Sequence, residues 1–568
     1  MGAIVLLSVC ALAGTQFGDI VVNVDKQGTG DRTHGYTEYR FSVTNLSVNT
    51  RHRVKLILPQ ESYPGGGLHQ VTRSAVVEPS STVTLTLFAP MPVVGNGLRA
   101  EIDDEAQRDP VPVVLTQPGW MGQPRILISR SASSLAFPSW AGDSLKDKEG
   151  KPLFTTIPSD QAVSSWSDNW LAYSSYDGIV VTAEEMTGMP AATRSALIAY
   201  SECGGTLFVA GPWEVPEPWR KFKVDASEVS NYFCGFGQIV VSITRELKAL
   251  KPQHWSLLQN SWNQTGQPWN VTRYGPNDAN RIFPVVDNDT VPVRGLFLLM
   301  LLFVVMIGPV NLILLSRKKR RIWLLWTVPA ISLVTCLAIS AYAILSEGWK
   351  GRGRSLGITV LDETTHRATT IGWLAYYTPL TPGNGLHFSY ETEVGIRILP
   401  YYYSNDGAYR TVDWTTDQHL DSGWISARRP AHFMIRRSES RRERLSLIID
   451  GGTPSVVNGF GVPIRELLVA TKDGRVYQAQ DIPVGVATPL RLTPTQSNEA
   501  DVAVLRDVFA SEWVEVPSSA NNTRWVRPGT YYAVLDGSPF IEEGLKGVET
   551  LARENLVFGI LKESPDEN

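Results

Sequence analysis

Residues 295–345 of this chain read GLFLLMLLFVVMIGPVNLILL at 295–315, SRKKRR at 316–321 and IWLLWTVPAISLVTCLAISAYAIL at 322–345. Neither apolar stretch contains a charged residue. At about 1.5 Å per helical residue, each is long enough to cross roughly 30 Å of hydrocarbon. A core helix of a soluble protein seldom stays uncharged over such a length. The stretch therefore predicts two transmembrane helices, at 295–315 and 322–345, joined by a short turn at 316–321.

The turn carries a run of consecutive basic residues: Arg317, Lys318, Lys319, Arg320 and Arg321. Short loops rich in Lys and Arg stay on the cytoplasmic side of a membrane. The flanks beyond the two apolar stretches carry fewer and more widely spaced positive charges. We therefore expect a cytoplasmic turn in a bacterial cytoplasmic (inner) membrane, with the main domains on the outer side and the lipid bilayer as a partner.

The first residues support the same orientation. Residues 3–13 read AIVLLSVCALA, a short apolar run that ends in an A-x-A-like site. Such a run is typical of a secretory signal peptide, which we expect at residues 1–13. A short uncleaved anchor is the alternative.

Length and charge limit the remaining possibilities. A chain of 568 residues is too long for one hydrophobic core, so we expect several domains. The formal net charge of −4 argues against nucleic acid as a partner.

Alternating patterns predict an immunoglobulin-like β-sandwich at residues 18–115. Residues 39–44 read YRFSVT, 53–58 read RVKLIL and 82–87 read TVTLTL. Apolar residues at every second position are typical of strands with one buried face. Residues 355–568 return to such strands, so we expect a β-rich extracytoplasmic domain there. The apolar spacing at Phe540–Leu561 predicts a C-terminal helix.

Residues 120–260 differ, because their apolar runs are short and continuous, at 125–129, 176–181 and 205–210. Ala191–Glu202 predicts a helix between the last two runs, and Thr182 with Glu185 predicts a capping box before it. Alternation of buried strands and helices is typical of a parallel α/β sheet. Ser242–Gln259 predicts a helix that leaves the domain.

The same region resembles a known group of proteins. YDGIVVTAEEM at 176–186, RSALIAYSECGGTLFVAG at 194–211 and CGFGQIVV at 234–241 are similar to the class I glutamine-amidotransferase-like domain of uncharacterised bacterial membrane proteins. Their membrane hairpin also resembles this one, with GPVN at 308–311, a basic turn, then Trp326 and Pro329. The resemblance covers residues 120–350. It implies envelope protein partners of a MoxR-type ATPase and von Willebrand A-domain system, and supplies no established activity.

An active amidotransferase needs a Cys on a tight strand-to-helix turn, beside a His base and backbone amides. Cys203 instead ends the predicted helix, and Cys234 enters a strand. After the strand ending at Val181 the chain reads TAEE, without a nucleophile. We therefore expect no catalytic residues. The two cysteines allow either a disulfide or two buried thiols.

The sequence gives equally weak evidence for other kinds of site. The eight histidines show no metal-ligand spacing, so we expect no metal and no cofactor. Asp177 is either a carboxylate ligand at a sheet end or, beside Gly178, a turn former, and the pattern favours the turn. One basic cluster predicts a patch for an anionic partner: Arg436, Arg437, Arg441, Arg442 and Arg444. The alternative is a solvated hairpin that Glu439 and Glu443 partly neutralise.

Together these features predict a multidomain α+β membrane protein: β-sandwich, α/β domain, two transmembrane helices and a C-terminal β-rich domain. The favoured hypothesis is a non-enzymatic, membrane-anchored envelope scaffold or sensor. The alternatives are a membrane-bound hydrolase or amidotransferase that uses Cys203 or Cys234, and a glycan-binding envelope protein.

Overall fold

A computed structural model describes most of the chain. The described residues are 14–26, 34–59, 70–90, 97–113, 124–135, 154–216, 223–226, 228–247, 250–251, 253–255, 258–259, 262, 276–286, 293–318, 321–347, 350–396, 410–449, 454–493, 526 and 528–562. The predicted signal peptide at 1–13, as well as Lys319 and Arg320 of the basic turn, lie outside them. The protein is a mixed α/β molecule, rich in strands.

The N-terminal region forms two facing sheets. Its strands are β1 Thr15–Phe17, β2 Ile20–Lys26, β3 Thr37–Asn45, β4 His52–Pro59, β5 Gln70–Val77, β6 Thr82–Ala89, β7 Arg99–Ile102 and β8 Glu105–Ala106. One sheet has the order β1-β2-β3-β6, and the other contains β5-β4-β7-β8. Tyr39, Phe41 and Val43 of β3 are buried, as the alternating pattern predicts for a strand with one core face.

The second region is an α/β layer. Its strands are β9 Arg125–Ile128, β10 Thr155–Pro158, β11 Gly178–Thr182, β12 Thr206–Ala210, β13 Lys223–Ala226, β14 Val229–Cys234 and β15 Gly237–Ser242. Its helices are α1 Arg130–Ser134, 3₁₀ turns at Val163–Ser165 and Trp170–Tyr173, α2 Ala183–Gly188 and α3 Ala191–Glu202. The sheet order is β10-β9-β11-β12-β15-β14-β13. The first five strands are parallel, while β14 and β13 are antiparallel.

Two apolar helices follow, long enough to cross a membrane: Phe297–Arg317 and Leu324–Tyr342. The elements are α4 Pro276–Ile282, α5 Val293–Val305, a π segment Met306–Val310, α6 Asn311–Arg317, a 3₁₀ turn Arg321–Trp323 and α7 Leu324–Glu347. Pro309 lies in the π segment, where the looser turn accommodates the missing N–H of proline. We call residues 293–347 the hairpin.

The remaining chain is built from strands. They are β16 Arg352–Asp362, β17 Arg367–Tyr377, β18 Leu386–Phe388, β19 Glu393–Ile396, β20 Thr411–Asp413, β21 Gln418–Leu420, β22 Ala431–Ser440, β23 Leu445–Ile448, β24 Ser455–Asn458, β25 Ile464–Ala470, β26 Val476–Ile482, β27 Ala487–Pro489, β28 Arg491–Leu492, β29 Thr530–Asp536 and β30 Glu549–Ile560. A nine-stranded sheet has the order β19-β22-β17-β16-β30-β29-β25-β26-β28, and β23-β24-β27 form a small sheet.

The predicted C-terminal helix at Phe540–Leu561 is wrong. Residues 549–560 form β30, which lies between β16 and β29 in the nine-stranded sheet. Leu556, Val557 and Phe558 are all buried, as in a strand covered on both faces. Such a short apolar run also fits a helical period, so periodicity alone could not separate the two.

The predicted helix at Ser242–Gln259 is also wrong at its start. Ser242 ends β15, and the chain from Ile243 to Glu246 is irregular. Among the described residues of this stretch, helical geometry begins at Leu247 and recurs at 253–255 and 258–259.

The regions before and after the hairpin share one sheet. β20 pairs in parallel with β5, and β21 and β18 extend the sheet to the order β18-β21-β20-β5-β4-β7-β8. The Trp414 indole is buried against Phe88 and donates to the Phe88 carbonyl at 2.8 Å. The predicted domains 18–115 and 355–568 are therefore not separate bodies, because β18, β20 and β21 extend a sheet of the N-terminal sandwich.

Candidate functional site

The carboxyl edge of the parallel sheet is where α/β proteins usually bind ligands. Here Glu185 of α2 lies at that edge. Its carboxylate accepts hydrogen bonds from the Ser129 hydroxyl at 2.5 Å, the Thr182 amide at 3.0 Å and the Ser131 amide at 3.3 Å. The Thr182 hydroxyl in turn accepts from the Glu185 amide at 3.2 Å, which completes the predicted capping box. An internal carboxylate thus satisfies the starts of both α1 and α2.

Cys203 and Cys234 are free and buried. Cys203 follows the last turn of α3, and Cys234 ends β14. Burial raises the pKa of both thiols well above their ordinary range. Because the thiolate is the nucleophile in cysteine chemistry, two shielded neutral thiols do not fit a catalytic role.

The turn after Cys234 packs closely on α3. Phe236 donates its amide to the Glu202 carbonyl at 2.8 Å. Gly235 has φ +56°, and a Cβ there would lie 2.5 Å from the Glu202 carbonyl oxygen. Only glycine fits this close approach. This close contact fixes the end of α3, where Glu202 and Cys203 contact arginines of the nine-stranded sheet.

The amino edge of the same sheet meets the rest of the molecule at a cluster of buried charges, which we call the junction. Its centre is Arg436 of β22, whose guanidinium is 2.7 Å from the Glu393 carboxylate and donates to the Cys203 carbonyl at 2.8 Å. The guanidinium also lies 5.6 Å from the centre of the Trp170 ring. Burial raises the pKa of Glu393 and lowers the pKa of Arg436, because desolvation outweighs their attraction.

A second ion pair lies beside the first. Glu202 accepts from the Arg367 guanidinium at 2.7 Å and from the Ser438 hydroxyl at 2.5 Å. Arg367 also donates to Ser438 at 2.8 Å. The end of α3 is therefore fastened to both β17 and β22 of the nine-stranded sheet.

The N-terminal region joins the junction through His34. Its Nε2 is 3.0 Å from the Asp177 carboxylate and its Nδ1 is 3.1 Å from the Ser174 carbonyl. Asp177 is buried and also accepts from the Arg125 amide at 2.7 Å. Asp177 is therefore more than the turn former that its neighbour Gly178 indicated, since it links two regions of the chain.

The arginines of the predicted anionic-partner patch are not grouped on one open surface. Arg436 is buried in the junction, so it is excluded from any such patch. Arg437 pairs with Glu439 and Glu542, and Arg441 pairs with Glu439 and Glu443. Only Arg442 and Arg444 of the set are exposed. Glu439 and Glu443 do neutralise part of the cluster, as the alternative predicted. The predicted β-hairpin is wrong, because β22 and β23 belong to different sheets.

Histidines do meet in space, although not as a recognisable metal centre. His387 and His419 are direct partners across β18 and β21 and stack with ring centres 4.2 Å apart. Their separation in sequence hides this contact from any motif search. Within the described ranges, no group of three or more His, Cys, Asp or Glu side chains has the geometry for a metal ion.

The two helices of the hairpin contact each other at two levels. The side-chain amide of Asn311 donates to the Thr327 hydroxyl at 2.9 Å. At the second level, a Cβ on Gly295 would collide with the Tyr342 hydroxyl. A polar link and a small residue are typical of helix pairs in membranes. Of the basic turn, Arg317 and Lys318 are exposed at the end of α6. Arg321 begins the 3₁₀ turn, and its side chain lies outside the described part.

Comparison with known proteins does not assign a family. No protein-family profile and no curated protein match this chain. Among solved structures, an inactive mutant of a GH20 exo-β-N-acetylglucosaminidase from Vibrio harveyi is similar at 11% sequence identity and a TM-score of 0.13. The match covers 40% of this chain and 35% of the enzyme. Such a low score carries no argument about fold or activity.

Proposed function

We propose that this protein is a non-enzymatic scaffold or sensor, anchored in the bacterial cytoplasmic membrane, that presents its folded domains outside the cytoplasm to protein partners. The observation that carries the proposal is the pairing of β5 with β20. These strands lie on opposite sides of the hairpin in sequence, yet in one sheet. A chain segment between them that enters a membrane must therefore return to the side from which it came.

The hairpin satisfies that requirement with two helices. Most large apolar side chains of the two helices are exposed, including Phe297, Leu301, Trp326 and Leu333. A surface of this size and composition needs lipid or a partner helix to cover it. The basic turn at 316–321 favours a cytoplasmic position for the hairpin tip, which leaves the sheets on the outer side.

The absence of an enzymatic role is inferred from how the α/β layer is used. Glu185 caps two helices at the edge where ligands usually bind, and both thiols are buried. At the opposite edge, Asp177 and Glu202 pair with His34 and Arg367 from other regions of the same chain. Fold alone does not confer chemistry, and these contacts favour assembly over catalysis. The sequence resemblance adds envelope proteins of a MoxR and von Willebrand A-domain system as proposed partners.

Topology mapping with single reporter cysteines tests the orientation. Val48→Cys and Ser440→Cys lie at exposed positions before and after the hairpin, and Lys318→Cys lies at its tip. Cys10 and Cys336 are replaced by Ser. Cys203 and Cys234 remain as buried internal controls, measured in the parent without reporters. A membrane-impermeant thiol reagent on cells with a permeable outer layer should label 48 and 440 only. Labelling of 318 alone would place the domains in the cytoplasm and refute the proposal.

A second experiment tests the scaffold role. Crosslinking in intact cells, followed by purification of the full chain in mild detergent, should yield a stoichiometric envelope protein. Recovery of the chain alone under several detergents would contradict a scaffold that works through protein partners.

A further inference from the structure

Both ends of the hairpin connect to the same end of the nine-stranded sheet. Arg352 begins β16 five positions after Glu347 ends α7, a path of at most roughly 18 Å. On the other side, Phe283 precedes α5 by ten positions and is buried at this sheet end. Its carbonyl is 2.9 Å from His432 Nε2, and its ring lies 4.7 Å from the Arg354 guanidinium. The sheet end is thus held close to the point where the hairpin leaves the membrane.

The strand register shows which residues form this end. Arg352 of β16 pairs with Tyr377 of β17 and with Glu549 of β30. β22 begins at the same end of the sheet, since its first residue, Ala431, pairs with Tyr376, one position before Tyr377. The sheet end therefore consists of residues 350–352, 377–381, 428–431 and 546–549, which we call the membrane-proximal rim.

The exposed groups of the membrane-proximal rim are mainly basic. Lys350, Arg428, Arg429 and Lys546 are exposed there. The exposed acidic residue among these rim residues is Glu549. Arg428 is fixed beside the end of β17, because its amide donates to the Thr378 carbonyl at 2.8 Å. Two positions farther on, the Leu380 side chain is 72% exposed.

Basic side chains around an exposed leucine fit an anionic lipid surface. Each Lys or Arg near such a surface is attracted to it, and apolar side chains partition into the interfacial layer. The chain connections above put the bilayer of the hairpin within reach of the rim. We propose that the membrane-proximal rim rests on the outer surface of that bilayer, with Lys350 and Lys546 at anionic headgroups and Leu380 in the interface. This inference rests on the proposed anchoring of the hairpin.

Depth-dependent quenching on the full chain in nanodiscs tests it. A bimane label is placed at Leu380→Cys, at Leu301→Cys four positions into the apolar helix Phe297–Arg317, or at Ser440→Cys. Ser440 ends β22 at the other end of the same sheet, about 30 Å from Ala431. Cys10 and Cys336 are replaced by Ser, and the nanodiscs contain phosphatidylcholine, phosphatidylglycerol and lipids that carry a quencher on the acyl chain.

The expected result is strong quenching at 301, clear quenching at 380 and none at 440. Quenching at 301 without quenching at 380 would overturn the inference while leaving the anchor intact. Failure to quench at 301 would instead overturn the proposed membrane anchor, and with it this inference. The three positions thus separate the two failures.

Charge removal supplies a second readout. With the label at 380, Lys350→Gln and Lys546→Gln should each lower the ratio of docked to undocked states roughly fivefold in the anionic nanodiscs, and little in neutral ones. Arg442→Gln is the matched control, since Arg442 is exposed near the far end of β22. Equal effects of the three variants, or no effect of the two lysine variants, would overturn the role of the rim.

Discussion

The two edges of the parallel sheet differ in how far their polar contacts reach along the chain. At the carboxyl edge Glu185 contacts Thr182, Ser129 and Ser131, all within the α/β layer. At the amino edge Arg436 reaches Cys203 across 233 positions and His34 reaches Asp177 across 143. At the edge where α/β proteins usually bind ligands, Glu185 makes only local contacts, whereas the opposite edge joins three regions of the molecule. This difference supports the proposed scaffold role.

The largest effect should follow loss of the central ion pair. Arg436→Ala leaves Glu393 buried without its cation, and we expect a loss of about 3–5 kcal/mol in the free energy of unfolding. Chemical denaturation of the full chain in nanodiscs measures it. Arg442→Ala, at an exposed position, is the control and should change stability by less than about 0.5 kcal/mol. Similar small losses for both variants would remove the contrast between the edges.

The pH dependence of stability tests a second contact between distant parts of the chain, the one between the His432 imidazole and the Phe283 carbonyl. Burial lowers the pKa of His432 to about 4, below its ordinary value near 6.5. The unfolded chain therefore binds more protons between these values. The contribution of His432 to stability is complete above about pH 6.5 and is lost as the pH falls towards 4, by about 3 kcal/mol in all. His432→Gln should flatten this part of the stability curve, and an unchanged slope would contradict the assignment.

The carboxyl edge should respond less. Glu185→Ala removes one half of the capping box, and we expect the free energy of unfolding to fall by about 1 kcal/mol. Glu184→Ala is the matched neighbour, because Glu184 and its partner Arg245 are both largely exposed; its effect should be smaller still. A larger loss for Glu185→Ala than for Arg436→Ala would reverse the proposed ranking of the two edges.

The smallest effect concerns the thiols. Cys203 and Cys234 should resist alkylation in the folded protein and react fully after denaturation, because their burial keeps both thiols protonated. Mass spectrometry after a short pulse of iodoacetamide measures this. Rapid modification of either residue in the native state would restore the thiol-enzyme alternative.

Signals that are local in sequence could be predicted. The two apolar helices, the strand at 178–182 and the capping box of Thr182 and Glu185 all depend on residues close together in the chain, and the structure contains each of them. The strand at 549–560 could not be distinguished from a helix, because alternation and helical periods overlap in a short apolar run.

The junction could not be predicted in the same way. Arg436 belongs to a run of arginines that reads as a surface patch, and its partner Glu393 is 43 positions away. Only the pairing of β19 with β22 brings the two together. Likewise, nothing in residues 18–115 indicates that strands from beyond the hairpin complete their sheet. Burial of a charge depends on distant partners, which the residue types around it do not reveal.

The pairing of β5 with β20 also determines when this protein can fold. Thr72 and Asp413 are hydrogen-bonded across 341 positions. At a synthesis rate of about 5–20 residues per second, the first strand waits roughly 20–70 s for the second. During that interval the edge of β5 lacks its partner strand, and under the proposed anchoring both helices enter the bilayer before β20 is made. If the hairpin spans the membrane as proposed, its insertion precedes completion of the N-terminal sandwich, and a chain halted at that stage would present an open strand to its neighbours.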